Sequence, residues 1–311
     1  MTWCVPRPAW TETIAIMNTA TLPAYDVLTA AGKAAGVDTA GATLIRDGSQ
    51  VLYRLPSAIV ARIGRRGEVD TAGREVLVSR WLADNDVPAV RTVHGVQQPT
   101  LVADRAVTWW NLIPEHRPAT PAELGGVLRG LHALSVPAHL SLPKVDPLRG
   151  LAQTINAAAA LFRDDHEWLL RHLETLHTRL ADLPEGLPQC VVHGDAWQGN
   201  IAVPADGTPI LLDLESTGVG RPEWDLTPLA ADLVDFARIT PADYDAFVHA
   251  YGDVDVTSWD GFRLLADIRE LRWVSFAMSK SFTDSSTRLE ATHRISCLRG
   301  EVPRPWTWNA L

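Results

Sequence analysis

The segment VVHGDAWQGNIAV, residues 191–203, runs an apolar strand into His193, Gly194 and Asp195, then places Asn200 five residues beyond Asp195. It continues as GNIAVPADGTPILLDLES, in which Asp206-Gly207 is a two-residue hairpin signal between apolar runs. A hairpin closed there sets Asn200 opposite Asp213 at its open end; Pro204 and Pro209 lack ladder donors, so the register can shift by one. Asp213 ends the run Ile210-Leu211-Leu212, where a charge needs a cation or hydrogen-bond donors to be tolerated. Glu215, two residues on, shares a strand face with it. An amide oxygen with one or two carboxylates is a hard, oxygen-only site of the kind magnesium takes when a phosphate completes its shell. Asp195, on the loop before the hairpin, is an unattached carboxylate, placed where a base would activate a hydroxyl. Each part alone has a plainer reading: the hairpin is only a hairpin, Asp213 is capped by amides, and His193 is a loop histidine satisfied locally.

The surrounding elements must hold these groups. The first third reads as short strands, ATLIR (42–46), VLYRL (51–55) and AIVARI (58–63), with turn residues between them. A helix is predicted over 69–84, then two further strands, AVRTVHGV and AVTWWNLI. The Pro-rich PEHRPATP marks a boundary. Beyond it AELGGVLRGLHALS is helical, a longer helix runs from about Gly150 to Ala181, and helices resume from Trp224 to Leu298. The expected class is α+β, with a loose N-terminal extension (1–16), a small β-rich lobe (17–113) and a larger helical lobe (114–311).

Composition narrows the function. A net charge of -9 argues against a nucleic-acid partner, which needs clustered Lys and Arg. No apolar run reaches membrane-spanning length, so no membrane partner is expected. Three cysteines without a Cys-x-x-Cys pair fit a reducing cytoplasm, and no His-Glu-x-x-His spacing occurs.

HGDAWQGN, followed by LLDLE and GRPEWDL, resembles the aminoglycoside phosphotransferase and choline kinase family of small-molecule kinases, over about residues 40–280. The resemblance implies a bilobal protein-kinase-like fold, ATP and Mg2+ as cofactors, and a small-molecule acceptor. It implies that Asp195 is the catalytic base and that Asn200 and Asp213 are magnesium ligands, with Glu215 a further ligand or a support. Asp225 and His193 would brace the loop. The family's usual phosphate-contacting lysine is replaced here by Arg62, whose expected helix partner is Glu75, with Glu68 as second choice. RDGSQ, including Ser49, would form the phosphate loop, and the backbone of Trp110, Asn111 and Ile113 would meet the adenine. The acceptor is expected to be an amine-bearing antibiotic such as an aminoglycoside, or an aminosugar, because carboxylates are dense from Glu223 onward. A fructosamine- or choline-type metabolite kinase and a non-catalytic nucleotide-binding relative are the alternatives; a phosphohydrolase would need further His and Asp ligands.

Overall fold

A computed structural model of the chain describes residues 22–48, 50–282 and 285–311. The expected extension at 1–16 and Ser49 lie outside them. In chain order the elements are α1 (Ala24–Ala35), β1 (Thr43–Asp47), β2 (Val51–Leu55), β3 (Ile59–Arg66), α2 (Val69–Asp84), β4 (Thr100–Val102), β5 (Arg105–Asn111), β6 (His116–Pro118) and α3 (Pro121–His132). Then come α4 (Leu151–Ala157), α5 (Arg163–Ala181), β7 (Cys190–Val192), β8 (Ile201–Pro204), β9 (Ile210–Leu211) and β10 (Gly218–Gly220). The chain continues with α6 (Glu223–Val234), α7 (Pro241–Tyr251), α8 (Phe262–Lys280) and α9 (Ser285–Leu298). The class is the α+β expected from the sequence. Among the described residues no helix is long and apolar enough to cross a membrane.

Two compact units form. The first takes the described part of Met1–Arg117 with Ala138–Ser141 and Ala202–Glu215; the second takes Pro118–Pro137, Leu142–Ile201 and Ser216–Leu311. The break thus falls after Arg117 rather than Ile113, and the β8–β9 hairpin counts almost wholly with the first unit.

The first unit is built on an antiparallel sheet in the order β1-β2-β3-β5-β4. Alternation sets its faces: Val51, Tyr53 and Leu55 are buried on β2, Ala61 and Ile63 on β3. Arg62 therefore points to the opposite face from the core, where α1 packs Val27, Leu28 and Ala31 against that sheet and Trp109. Helix α1 stops at Gly36, whose φ of 69° and N–H to Gly32 O make a left-handed cap. The sequence reading contains no α1, whose Ala-rich run offers few large apolar side chains. The strand expected at 89–96 does not form. Ala89 bridges Leu211 and Thr92 bridges Trp110, so its hydrogen bonds are divided between two partners and no ladder propagates.

In the second unit the helical stretch expected from about Gly150 to Ala181 forms as two helices, α4 and α5. The turn between them drives Phe162 into a core with Leu169, Leu176, Ile268 and Trp306. Boxes of Thr120 with Glu123 and of Thr240 with Asp243 cap α3 and α7. These two helices approach closely because Gly125 has no side chain; a Cβ there would lie 2.5 Å from Phe247 O. Gly125→Ala should therefore lower unfolding free energy by about 1–3 kcal/mol. Gly126→Ala, with nothing within 4 Å of its Cβ position, should be neutral or stabilising. Urea denaturation of both variants checks the pair.

Candidate active site

In the second unit, β7 is fully buried and pairs with β10, Val192 opposite Gly218 and Cys190 opposite Gly220. The chain then enters His193, which is buried, and Gly194, with φ of 85°. A Cβ on Gly194 would lie 2.4 Å from Ser216 O, so both its conformation and its space require glycine. Asp225, buried in the first turn of α6, accepts from His193 N at 2.6 Å and Gly194 N at 2.8 Å. Its third partner is His132 Nε2 at 3.1 Å, and His132 Nδ1 lies 2.9 Å from the Tyr251 hydroxyl. Burial alone would raise the Asp225 carboxyl; the bond to His132, its charge and that of His193 hold it below the ordinary Asp range instead.

This brace leaves Asp195 facing outward, its side chain 53% exposed. Its N–H donates to His193 Nδ1 at 3.3 Å, so the His193 ring serves the loop from inside. Asn200 Nδ2 donates to Asp195 O at 2.8 Å, which commits the amide nitrogen of Asn200 and leaves its oxygen for other partners. The Trp224 indole N–H donates to Gly194 O at 3.0 Å. The carboxylate of Asp195 meets Arg269 NH1 at 3.4 Å.

In the first unit, Asp213 follows β9 with φ of 51°, a left-handed conformation that a non-glycine residue adopts at a cost. Glu215 stands in a one-turn 3-10 helix, Leu214–Ser216, and not on a strand, so the shared strand face expected for it does not exist. The hairpin also turns differently: Gly207 N donates to Pro204 O at 3.0 Å, which puts Ala205 and Asp206 at the centre of the turn. Asn200 ends a 3-10 turn, Gln198–Asn200. Neither Asn200 nor Asp213 is a strand residue, so their expected cross-strand pairing is not formed.

Burial and then Asp213 push the Glu215 carboxyl up, with Glu68 adding to them; Arg62 and the Gln50 amide, which donates to Glu215 Oε2 at 2.8 Å, oppose the rise. Arg62 is ion-paired with the buried Glu75 of α2 and lies 5.3 Å from the Trp110 ring centroid. Burial lowers its proton affinity, while Asp213 and Glu215 raise it. Asp213, on strained backbone, and Glu215 form a donor set suited to a hard divalent cation. Glu68 ion-pairs instead with Arg65 at 3.6 Å.

The residues expected to meet the adenine divide. Trp110 is a buried β5 residue paired with Val60, its indole N–H on Thr108 Oγ1 at 2.8 Å. Asn111 N is spent on Arg91 O at 2.8 Å and Leu112 N on Ala58 O at 2.8 Å. Ile113 follows these bonds and is half-buried. Sequence reading missed the bond of Gln50 to Glu215, and it missed His132, Trp224 and Arg269. Arg269 gave no signal of its own in the sequence, because it stands among Asp267, Glu270 and Arg272 on one helix.

The profile of the phosphotransferase enzyme family matches residues 43–265. Among solved structures, a spectinomycin phosphotransferase in complex with ADP and spectinomycin aligns with a TM-score of 0.62 at 15% identity, covering 88% of this chain and 94% of that one. An amicoumacin kinase in complex with AMP-PNP and Ca2+ aligns with a TM-score of 0.67 at 14% identity, over 90% and 95%. A choline/ethanolamine kinase family protein from Mesorhizobium loti gives 0.58 at 17% identity, over 89% and 95%. At these identities the likeness is one of fold. No curated protein matches the sequence.

Removing the brace should be costly. Asp225→Ala strands two backbone N–H groups and the His132 ring, so unfolding free energy should fall by about 3 kcal/mol or more. Urea denaturation checks the stability, and hydrogen exchange at the amides of His193 and Gly194 should accelerate.

Proposed function

The chain belongs to the phosphotransferase enzyme family, and from that membership we propose that it moves the γ-phosphoryl group of ATP to a hydroxyl of a small molecule. The observation that carries the reading is the loop whose amides are consumed by Asp225 while the Asp195 carboxylate stays half-exposed.

In this reading Asp195 takes the proton from the acceptor hydroxyl as its oxygen bonds to the γ-phosphorus, the bridging bond to the β-phosphate breaks, and ADP leaves. Arg62, held by Glu75, contacts the nucleotide phosphates. The Asn200 amide oxygen and the Asp213 carboxylate would hold Mg2+, which supplies charge neutralisation at the phosphoryl oxygens. Glu215, tied to Gln50, stands in support. Ser49 belongs to the phosphate loop, and the adenine falls near the Ile113 backbone, since the Asn111 and Leu112 amides are engaged. The buried partnership of Arg62 with Glu75 supports a retained phosphate clamp over a non-catalytic relative. A cytoplasmic location fits this use of ATP.

Of the carboxylates counted from Glu223 onward, Asp232 pairs with Arg238 at 2.8 Å and Asp243 caps α7. Asp235, Asp267 and Glu270 all pair with Arg263. Carboxylates already paired with arginine attract a further cation less, which leaves the acidic density a weak guide to the acceptor. Similar folds include enzymes named for spectinomycin and for choline/ethanolamine; an amine-bearing antibiotic or aminosugar therefore stays first to be screened, with fructosamines and choline next.

The test is ADP release from MgATP by the purified chain with spectinomycin, streptomycin, aminosugars, ketoamines and choline; no release above the acceptor-free rate would reject the proposal. Asp195→Ala should lower turnover by about two to four orders of magnitude with nucleotide affinity nearly unchanged. Arg62→Ala should raise the KM for ATP about tenfold, and Arg62→Lys should recover part of it, since a point charge replaces a planar fork. An Ala variant with an unchanged KM would remove Arg62 from the phosphate site.

A further inference from the structure

We infer that Arg269 is the positioning residue of the Asp195 carboxylate, and that it sets the rate of transfer without binding nucleotide or acceptor; this rests on the reading of Asp195 as the base. Arg269 lies in the middle of α8 and is 3% exposed. Placing a guanidinium there is costly, and burial lowers its proton affinity to about 10, with Arg272 adding to the fall and Asp195 opposing it. Its Nε has no hydrogen-bond partner in the described structure. An apolar side chain would fill this place at lower cost if packing were its whole purpose.

What Arg269 touches explains the expense. Its guanidinium lies 3.9 Å from the Trp224 ring centroid, NH2 donates to Trp224 O at 3.2 Å, and NH1 meets Asp195 Oδ1 at 3.4 Å. Trp224 has a free carbonyl for a local reason: Pro228 stands four residues later inside α6 and has no N–H to offer it. The same tryptophan holds Gly194 O through its indole N–H at 3.0 Å. Trp224 is thus a plate fastened on one side to the loop and on the other to Arg269, and the remaining arm of Arg269 ends on the carboxylate. With Oδ1 held, Oδ2 is left toward the acceptor hydroxyl, and the carboxylate rotation is restrained. Arg272, one turn on, also acts electrostatically on Asp195, but its NH1 is spent on Pro147 O and Arg149 O at 3.2 Å each.

The probe is ADP release from MgATP with water, spectinomycin, streptomycin or choline as acceptor. Arg269→Met keeps the bulk against Trp224 and removes the charge. On any transfer that the wild type performs, we expect it to lower kcat by about 10²-fold, the scale of a misplaced reacting group. KM for ATP and acceptor should stay within about twofold, because uniform binding is untouched, and the urea midpoint should hold or rise. Arg269→Lys should keep an intermediate rate, and millimolar guanidinium chloride, but not equal sodium chloride, should restore part of the rate of Arg269→Ala. In an Asp195→Ala background, Arg269→Met should cost nothing further, because the two act as one unit. Three results would each overturn the inference: a raised acceptor KM with intact kcat, a lost urea midpoint with normal kcat per folded molecule, or a full additional loss in the Asp195→Ala background. A wild type that releases no ADP with any acceptor, or an Asp195→Ala variant of normal turnover, overturns the base assignment beneath it instead.

Discussion

A buried carboxylate must find donors or stay neutral, and Asp225 finds three. Two are consecutive backbone amides, of His193 and Gly194, and the third is the His132 ring. The two amides converge on this carboxylate through a bend in which Gly194 takes φ of 85°, and a Cβ there would lie 2.4 Å from Ser216 O, so the position requires glycine. Once that bend is made, His193 turns inward and Asp195 outward. The same carboxylate ties α3 to α6 through His132, and Tyr251 extends the tie to α7. One desolvated charge therefore shapes the loop and joins the helices that carry it.

The first unit meets the inverse problem, a buried cation. Arg62 is desolvated and has Glu75, Asp213 and Glu215 around it. Arginine suits this place better than lysine because a planar guanidinium can bond Glu75 and still lie near the Trp110 ring. The carboxylates outnumber the cation, and burial first, then Asp213, drives Glu215 up despite Arg62 and Gln50. Such a surplus of negative charge favours a divalent cation and opposes bare phosphate, a balance that suits a metal-nucleotide complex.

The carboxylates of the helical segment have a different employment. Arg263 and Arg304 both bind Asp235 and Glu270, which anchors the segment after α9 to α6 and α8. Trp306 N donates to Asp235 O at 2.8 Å, and the Trp306 and Trp308 rings stack within 8° of parallel. Burial, reinforced by Asp235, raises the Glu270 carboxyl well above the usual carboxylate range even between two arginines. Acidic density along a chain thus says little about the field at a site, because it does not tell which charges are already paired.

The sequence by itself determined what depends on near neighbours. Strand β2 and helix α2 stand at the predicted 51–55 and 69–84 because alternation and turn residues act within a few positions. The spacing of His193, Asp195, Asn200 and Asp213 was legible for the same reason. Tertiary structure decided the rest. The hairpin register, the loss of a strand at 89–96 and the break between α4 and α5 each depended on where a distant partner lay. The partners of the two key carboxylates are remote as well: His132 is 93 residues from Asp225, and Arg269 is 74 from Asp195. A charge in water has no preferred partner at such separations. It acquires one only when packing removes the water from both, and which side chains share that dry space is settled by the fold as a whole.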